Sequence, residues 1–200
     1  MICEAIQEFF AIGRMYKQWN STRMILIPKA QSPASPNEFR PISYCNVVYK
    51  RISKLLCTRL KEVLPSLVAN NQGAFVRGRE LLYNVLLCQE IARGYTRKHI
   101  SPRCMMKVDL KKSYDSVHWD AVKEILISLS FPNIFLKWLM EYIITPTYII
   151  HMNREDFGFF EGGRGLRQGD PLSPLIFALV MEYLSRVYLH ATNPPPLQGK

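Results

Sequence analysis

MMKVDLKKSYDSVHW, residues 105–119, changes its hydrophobic period part-way along. The Met-, Val- and Leu-rich run over 103–110 reads as a strand, after which Val117, Val122, Ile125, Leu126 and Leu129 recur at helical spacing. Asp109 therefore falls where strand gives way to helix, and in open α/β sheets ligands bind beyond the carboxyl ends of strands. A carboxylate there has two readings. Its hard oxygens suit Mg²⁺, which keeps several waters and takes one or two protein carboxylates plus substrate phosphates. Alternatively, Asp109 caps the helix that follows.

Around this stretch lie 200 residues, 48% of them hydrophobic, enough to bury a sizeable core as one domain or two small lobes. Lysine and arginine number 26 against 16 acidic residues, and the resulting net charge of +10 makes a polyanion the first partner to consider. Cys3, Cys45, Cys57, Cys88 and Cys104 are odd in number and widely spaced, with no CxxC and no neighbouring histidine pair. Neither a disulfide framework nor a zinc site is expected, and a disulfide-linked partner is not expected either. No apolar run approaches membrane-spanning length, and Glu4, Glu8, Arg14 and Lys17 interrupt the first twenty residues, against a secretory signal. The expected setting is intracellular, nucleus or cytoplasm, with no membrane partner.

Working outward from the centre, Ile6, Phe9, Phe10, Ile12 and Met15 predict an amphipathic helix between Ile2 and Trp19, closed by Asn20 and Ser21. Met24–Ile27 and Phe39–Ser43 predict two short strands either side of a Pro/Ser-rich turn; if they pair, Lys29 and Arg40 share one basic hairpin, and Pro41 keeps the pairing short. Val47–Leu64 predicts a helix with Val48, Ile52, Leu55, Leu56, Leu60 and Val63 inward, stopped by Pro65. Its basic residues, Lys50 and Lys54 among them, read equally as a nucleic-acid contact or a solvated face. NQGAFVRGR, 71–79, is either a plain loop or a glycine-punctuated phosphate contact through Arg77 and Arg79. Leu81–Tyr95 predicts a further helix, followed by a basic connector, Arg93–Arg103. After the central corner come a helix to about Ser130, another over Ile134–Ile144, a strand over Thr147–Met152, a polar turn over Asn153–Phe157 and a return strand from Gly158. GGRGLRQGDPLSP, 162–174, leads into a helix over Leu175–Leu189 with Ser173 as its cap.

The order of the motifs LIPK, FRPIS, QGAFVRGR, KVDLKKSYDSVHW and GLRQGDPLSPLIF resembles the reverse transcriptase domain of LINE-type, non-LTR retrotransposons, especially the plant elements. The resemblance runs from about Phe9 to Arg186. It implies an α/β fold of the α+β type: right-hand polymerase fingers and a partial palm, helix-rich with short strands and an incomplete palm sheet. The implied division is 1–104 for the N-terminal helix and fingers, 105–190 for the partial palm and 191–200 for a Pro-rich tail.

The resemblance also implies roles. Asp109 matches the family's first metal-binding aspartate, one ligand of a site for two Mg²⁺ ions. Tyr114 matches the bulky side chain that favours deoxynucleotides by crowding a ribose 2′-hydroxyl; the residues alone also allow a core aromatic. Arg40 and Lys29 match fingers residues that hold the incoming dNTP, Gln168 and Gly169 the loop that packs the nascent base pair, and Arg167 an aid to the phosphates. Gln72, Gly73, Arg77 and Arg79 match a segment along the template strand, to which Lys50 and Lys54 add positive charge. Asp115 is expected at a helix N-terminus, pointing away from the metals.

The family's next motif, an aromatic residue with two adjacent aspartates, is expected beyond the helix ending near His190, and the sequence reaches Lys200 without it. The expectation is therefore an RNA-directed DNA polymerase fragment, inactive as an isolated chain, marginal or aggregation-prone as a fold, working with RNA template, DNA primer and the rest of a retroelement polyprotein. The alternatives are a catalytically dead RNA- or DNA-binding remnant and a fragment with no selected role.

Overall fold

The computed structural model describes residues 2–96 and 105–192. The predicted run over 193–200 and most of the basic connector lie outside the described residues.

Six helices and four strands are described. Helix α1 (Ile2–Ile12) buries Phe9 and is shorter than its sequence pattern. Gly13, at φ +68°, ends it by donating its amide to the Phe9 carbonyl at 2.7 Å, a left-handed stop that precedes Asn20. Met15 is nonetheless buried, from the loop rather than from the helix.

Strands β1 (Ser21–Pro28) and β2 (Phe39–Cys45) pair antiparallel from Thr22 opposite Cys45 to Pro28 opposite Phe39. The pairing is longer than Pro41 was expected to allow. In the four-stranded sheet β2 is an edge strand, with β1 beside it. Ser43, two residues beyond Pro41, turns its amide outward to the Gln168 carbonyl, and the missing N–H of Pro41 falls on that same outward side.

Helix α2 (Val47–Leu67) runs past Pro65, which sits in its last turn, where the lost hydrogen bond leaves only an exposed carbonyl behind. Its buried face is Tyr49, Ile52, Ser53, Leu56, Cys57, Leu60 and Leu64, while Leu55 and Val63 are exposed. The face is rotated from the hydrophobic stripe because Tyr49 and Ser53 turn inward to a buried aspartate. Helix α3 (Leu81–Arg93) has no buried residue.

The central stretch departs furthest from its sequence reading. Met105–Leu110 pairs with no strand among the described residues, and its side chains are exposed. A strand is completed by a partner's hydrogen bonds, which an apolar run cannot supply for itself. The chain then turns over 111–116, with Lys112 at φ +51°, and helix α4 begins only at Trp119, running to Ser128 with His118 as its cap. Asp109 is ten positions from that start and caps nothing.

Helix α5 (Asn133–Ile144) leads to β3 (Thr147–Met152), which joins β1 in parallel, and β4 (Glu155–Glu161) returns antiparallel. The predicted polar turn contracts to Asn153 and Arg154, both at positive φ, the geometry of a two-residue hairpin loop. The single sheet thus takes strands from both sides of residue 104. Helix α6 (Ser173–Thr192) closes the fold. Ile52, Leu56, Leu60, Leu126, Leu139, Ile176 and Leu179 from α2, α4, α5 and α6, with Leu172 from the turn before α6, make one core.

Candidate active site

Two loops far apart in sequence are bonded together beside this core. Gly165 donates its amide to the Val117 carbonyl at 2.7 Å, Leu166 to Tyr114 at 2.9 Å, and the Trp119 indole Nε1 to the Gly165 carbonyl at 2.8 Å. Gly165 sits at φ +94°, and a Cβ there would lie 3.1 Å from the Asp115 backbone, so only glycine permits this approach. Farther along, Ser43 of β2 donates to the Gln168 carbonyl at 2.9 Å. Gly169, at φ +95°, passes where a Cβ would meet the Ser43 carbonyl oxygen at 3.3 Å. The 162–170 loop thus bridges the sheet and the central turn.

A groove of about 810 Å³ lies between them, lined by Lys29 and Arg40 from the first hairpin, Asp109 and Tyr114 from the central stretch, and Gln168 and Gly169 from the bridging loop. Lys29 Nζ donates to the Asn37 carbonyl at 2.9 Å and Lys112 Nζ to Asn37 Oδ1 at 2.6 Å, so a second lysine, missed in the sequence, stands at the groove edge. Tyr114 stacks on Phe177 with centroids 4.8 Å apart, and burial pushes its phenol above the usual range, keeping it neutral. Asp115 does not begin a helix. It lines the groove and accepts from Gln168 Nε2 at 3.3 Å.

Arg167 and Asp170 flank Gln168 and Gly169, and both are buried. The Arg167 guanidinium donates to Asn20 Oδ1 and Thr22 Oγ1, each at 3.2 Å, and to the Tyr142 carbonyl at 2.6 Å, and lies 4.0 Å from the Tyr49 ring centroid. Asp170 accepts from Ser53 Oγ at 2.7 Å, Tyr142 Oη at 2.7 Å, Tyr49 Oη at 3.1 Å and the Leu172 amide at 3.2 Å. Burial raises both phenols well above the usual range, so they stay protonated donors. Arg167 spends its fork within the core, which is the geometry of an anchor for the loop. Asp170 escaped the sequence reading. The local turn to Leu172 is legible in Asp-Pro-Leu, but the three hydroxyls come from two distant helices.

The residues matched to the template segment divide. Arg79 straps the end of α2, donating to the carbonyls of Pro65, Val68, Ala69 and Gln72. Gly73 is buried against Asn84, Gln72 is half-buried and Arg77 is exposed. Lys50 and Lys54 are exposed on the opening turns of α2, Lys50 lying 4.6 Å from the Tyr44 ring centroid.

Among the described residues no group of three or more His, Cys, Asp or Glu side chains is gathered as a metal cluster. Three carboxylates line the groove, Asp109, Asp115 and Asp170, with lysine and arginine among the other lining residues. Asp170 already accepts from Tyr49, Ser53 and Tyr142, which leaves Asp109 and Asp115 as the acidic donors facing a ligand. Such a donor set fits Mg²⁺ held by one or two carboxylates together with phosphates, and offers nothing to a soft metal. No described helix is long and apolar enough to cross a membrane.

A mixed sheet packs on a helical core, and one groove brings basic residues and carboxylates together. A family model described as reverse transcriptase (RNA-dependent DNA polymerase) matches residues 27–193, and the chain belongs to that family, in its non-LTR retrotransposon branch. It is 28% identical to the Pol polyprotein from type-1 retrotransposable element R2 of Nasonia vitripennis, over 92% of this chain and 18% of that protein. The Pol polyprotein from type-2 retrotransposable element R2DM of Drosophila melanogaster is 27% identical over 82% of this chain and 15% of its own length. A probable RNA-directed DNA polymerase from transposon BS of the same fly is 24% identical, over 82% and 18% respectively. The chain thus spans less than a fifth of each of these three relatives.

Proposed function

We propose that this chain forms the nucleotide-binding side of an RNA-directed DNA polymerase active site within a longer retroelement product. One observation carries the proposal: Lys29, Arg40, Asp109, Tyr114, Gln168 and Gly169, drawn from three separate stretches, line one groove. Lys29 and Arg40 take the triphosphate of a dNTP, since ammonium and guanidinium groups on an exposed hairpin reach phosphate oxygens from several directions. Tyr114, held against Phe177, presents a rigid edge to the sugar and disfavours a 2′-hydroxyl. Gln168, whose backbone is bonded to β2 and whose side chain reaches Asp115, orients the nascent pair. Asp109 and, through the same groove, Asp115 would hold Mg²⁺, which when bound would supply neutralisation of developing charge and a lowered pKa for a primer hydroxyl. Template RNA and primer DNA lie along the basic surface. The isolated polypeptide does not extend a primer: of the three carboxylates that line the groove among the described residues, Asp170 is committed to Tyr49, Ser53 and Tyr142, which leaves Asp109 and Asp115 for metal.

The test is titration of the 200-residue chain with a dNTP in the presence of Mg²⁺. Asp109→Ala and Arg40→Gln are each expected to weaken binding by about tenfold or more, as loss of a charge-assisted contact of 1.5–3 kcal/mol implies, while changing unfolding free energy by no more than about 0.5 kcal/mol, as for exposed surface sites. Tyr114→Ala is expected to narrow the preference for dNTP over rNTP. Unchanged nucleotide affinity in both charge variants refutes the assignment of the groove.

A further inference from the structure

The loop between α2 and α3 is held firmly, yet it displays a large aromatic ring. Arg79 anchors it through four carbonyls at 2.5–3.3 Å. Val76 packs into the core at 5% exposure. Its neighbour Phe75 faces outward at 52% exposure, with φ +63°. Positive φ is a genuine outlier for a bulky side chain, and such strain persists only where the surroundings impose it. A slack loop would relax and bury the ring. Here the arginine strap and buried Val76 oppose both changes. Beside the ring is a recess of about 420 Å³ lined by Lys61, Phe75, Val76 and Arg77, so one aromatic face and two cations meet at one place. It lies apart from the nucleotide groove and shares no lining residue with it.

We propose that Phe75 is a stacking platform for an unpaired base of a single-stranded nucleic acid, with Lys61 and Arg77 contacting neighbouring phosphates. Aromatic rings interleaved with basic side chains bind single strands with little sequence preference, because every base has a π face. The net charge of +10 favours the same partner. The inference rests on the reading of the chain as a polymerase that holds a template strand, and adds the residue and the mode of contact. The strained loop keeps the platform in place before the strand arrives, so little ordering cost falls on binding.

The experiment follows the fluorescence anisotropy of labelled single-stranded RNA, single-stranded DNA and a blunt duplex with the 200-residue chain across a salt series. Phe75→Ala is expected to weaken binding of both single strands by about five- to 150-fold, the usual range for one stacked base, with the slope of log affinity against log salt unchanged. Arg77→Gln is expected to flatten that slope by about 0.7, one phosphate contact on a single strand. Phe75→Trp restores affinity. Phe75→Gly removes both ring and strain, so it is expected to raise the thermal midpoint while lowering affinity, which separates stacking from folding. Wild-type binding with a salt slope, but with Phe75→Ala within twofold of it, overturns the platform and leaves the polymerase reading standing. An equal loss on the blunt duplex also overturns it, since stacking needs an unpaired base. No binding of either single strand by the wild-type chain at low salt overturns both.

Discussion

Replacing Asp170 by alanine tests the anchor on which the groove depends. The carboxylate is 4% exposed and accepts from Tyr49, Ser53 and Tyr142. Truncation leaves three buried hydroxyls without that acceptor, and each orphaned donor costs about 1–3 kcal/mol. Partial rearrangement makes the costs less than additive, so a loss of about 3–6 kcal/mol is expected. Set against a total stability of about 5–15 kcal/mol for a folded domain, that is a large fraction. With a urea m-value of about 2 kcal/mol per M, even 3 kcal/mol lowers the unfolding midpoint by about 1.5 M. Far-UV circular dichroism in a urea series, with Asp109→Ala as the exposed control, makes the measurement. Asp170→Asn keeps an acceptor oxygen and is expected to fall between the two. A midpoint for Asp170→Ala indistinguishable from that of Asp109→Ala refutes the hub.

Two further outcomes follow from the same geometry. Gly165→Ala places a Cβ 3.1 Å from the Asp115 backbone at φ +94° and is expected to destabilise by about 1–3 kcal/mol; a thermal midpoint equal to wild type contradicts the docking of the two loops. Burial, with Asp170 adding to it, pushes the Cys57 thiol from its ordinary 9.0 to about 11, and burial raises Tyr49 and Tyr142 as well. An acid whose folded pKa is raised contributes fully below its unfolded value and loses that contribution as pH climbs toward the folded one. Stability measured by denaturant is therefore expected to decline between about pH 9 and 11, and Cys57→Ala should remove part of the decline. A flat profile across that window contradicts the buried thiol.

Local signals in the chain were good guides wherever a short-range rule sufficed. Alternation and turn residues at Met24–Ile27, Phe39–Ser43, Thr147–Met152 and from Gly158 marked all four described strands by position, and Ser173-Pro174 marked the start of α6. The candidate site was also partly legible, because the ordered motifs named seven residues that line one groove. Reading failed where the outcome depended on a partner. The run over 105–110 has strand composition but no strand beside it among the described residues, and its side chains are exposed. Asp115 was assigned to a helix end that begins only at Trp119.

The family, the position of most elements and the side-chain types that line the groove were therefore readable along the chain, since side-chain type, spacing and charge act over a few residues. Tertiary structure alone decided the rest. It turned α2 so that Tyr49 and Ser53 meet Asp170, bound the Arg167 guanidinium to Asn20, Thr22 and Tyr142 at the floor of the groove, and swung Asp115 onto Gln168. These contacts span 25 to 147 positions, too far for any local period to encode. They form because a buried carboxylate or guanidinium must find partners from whichever elements pack around it.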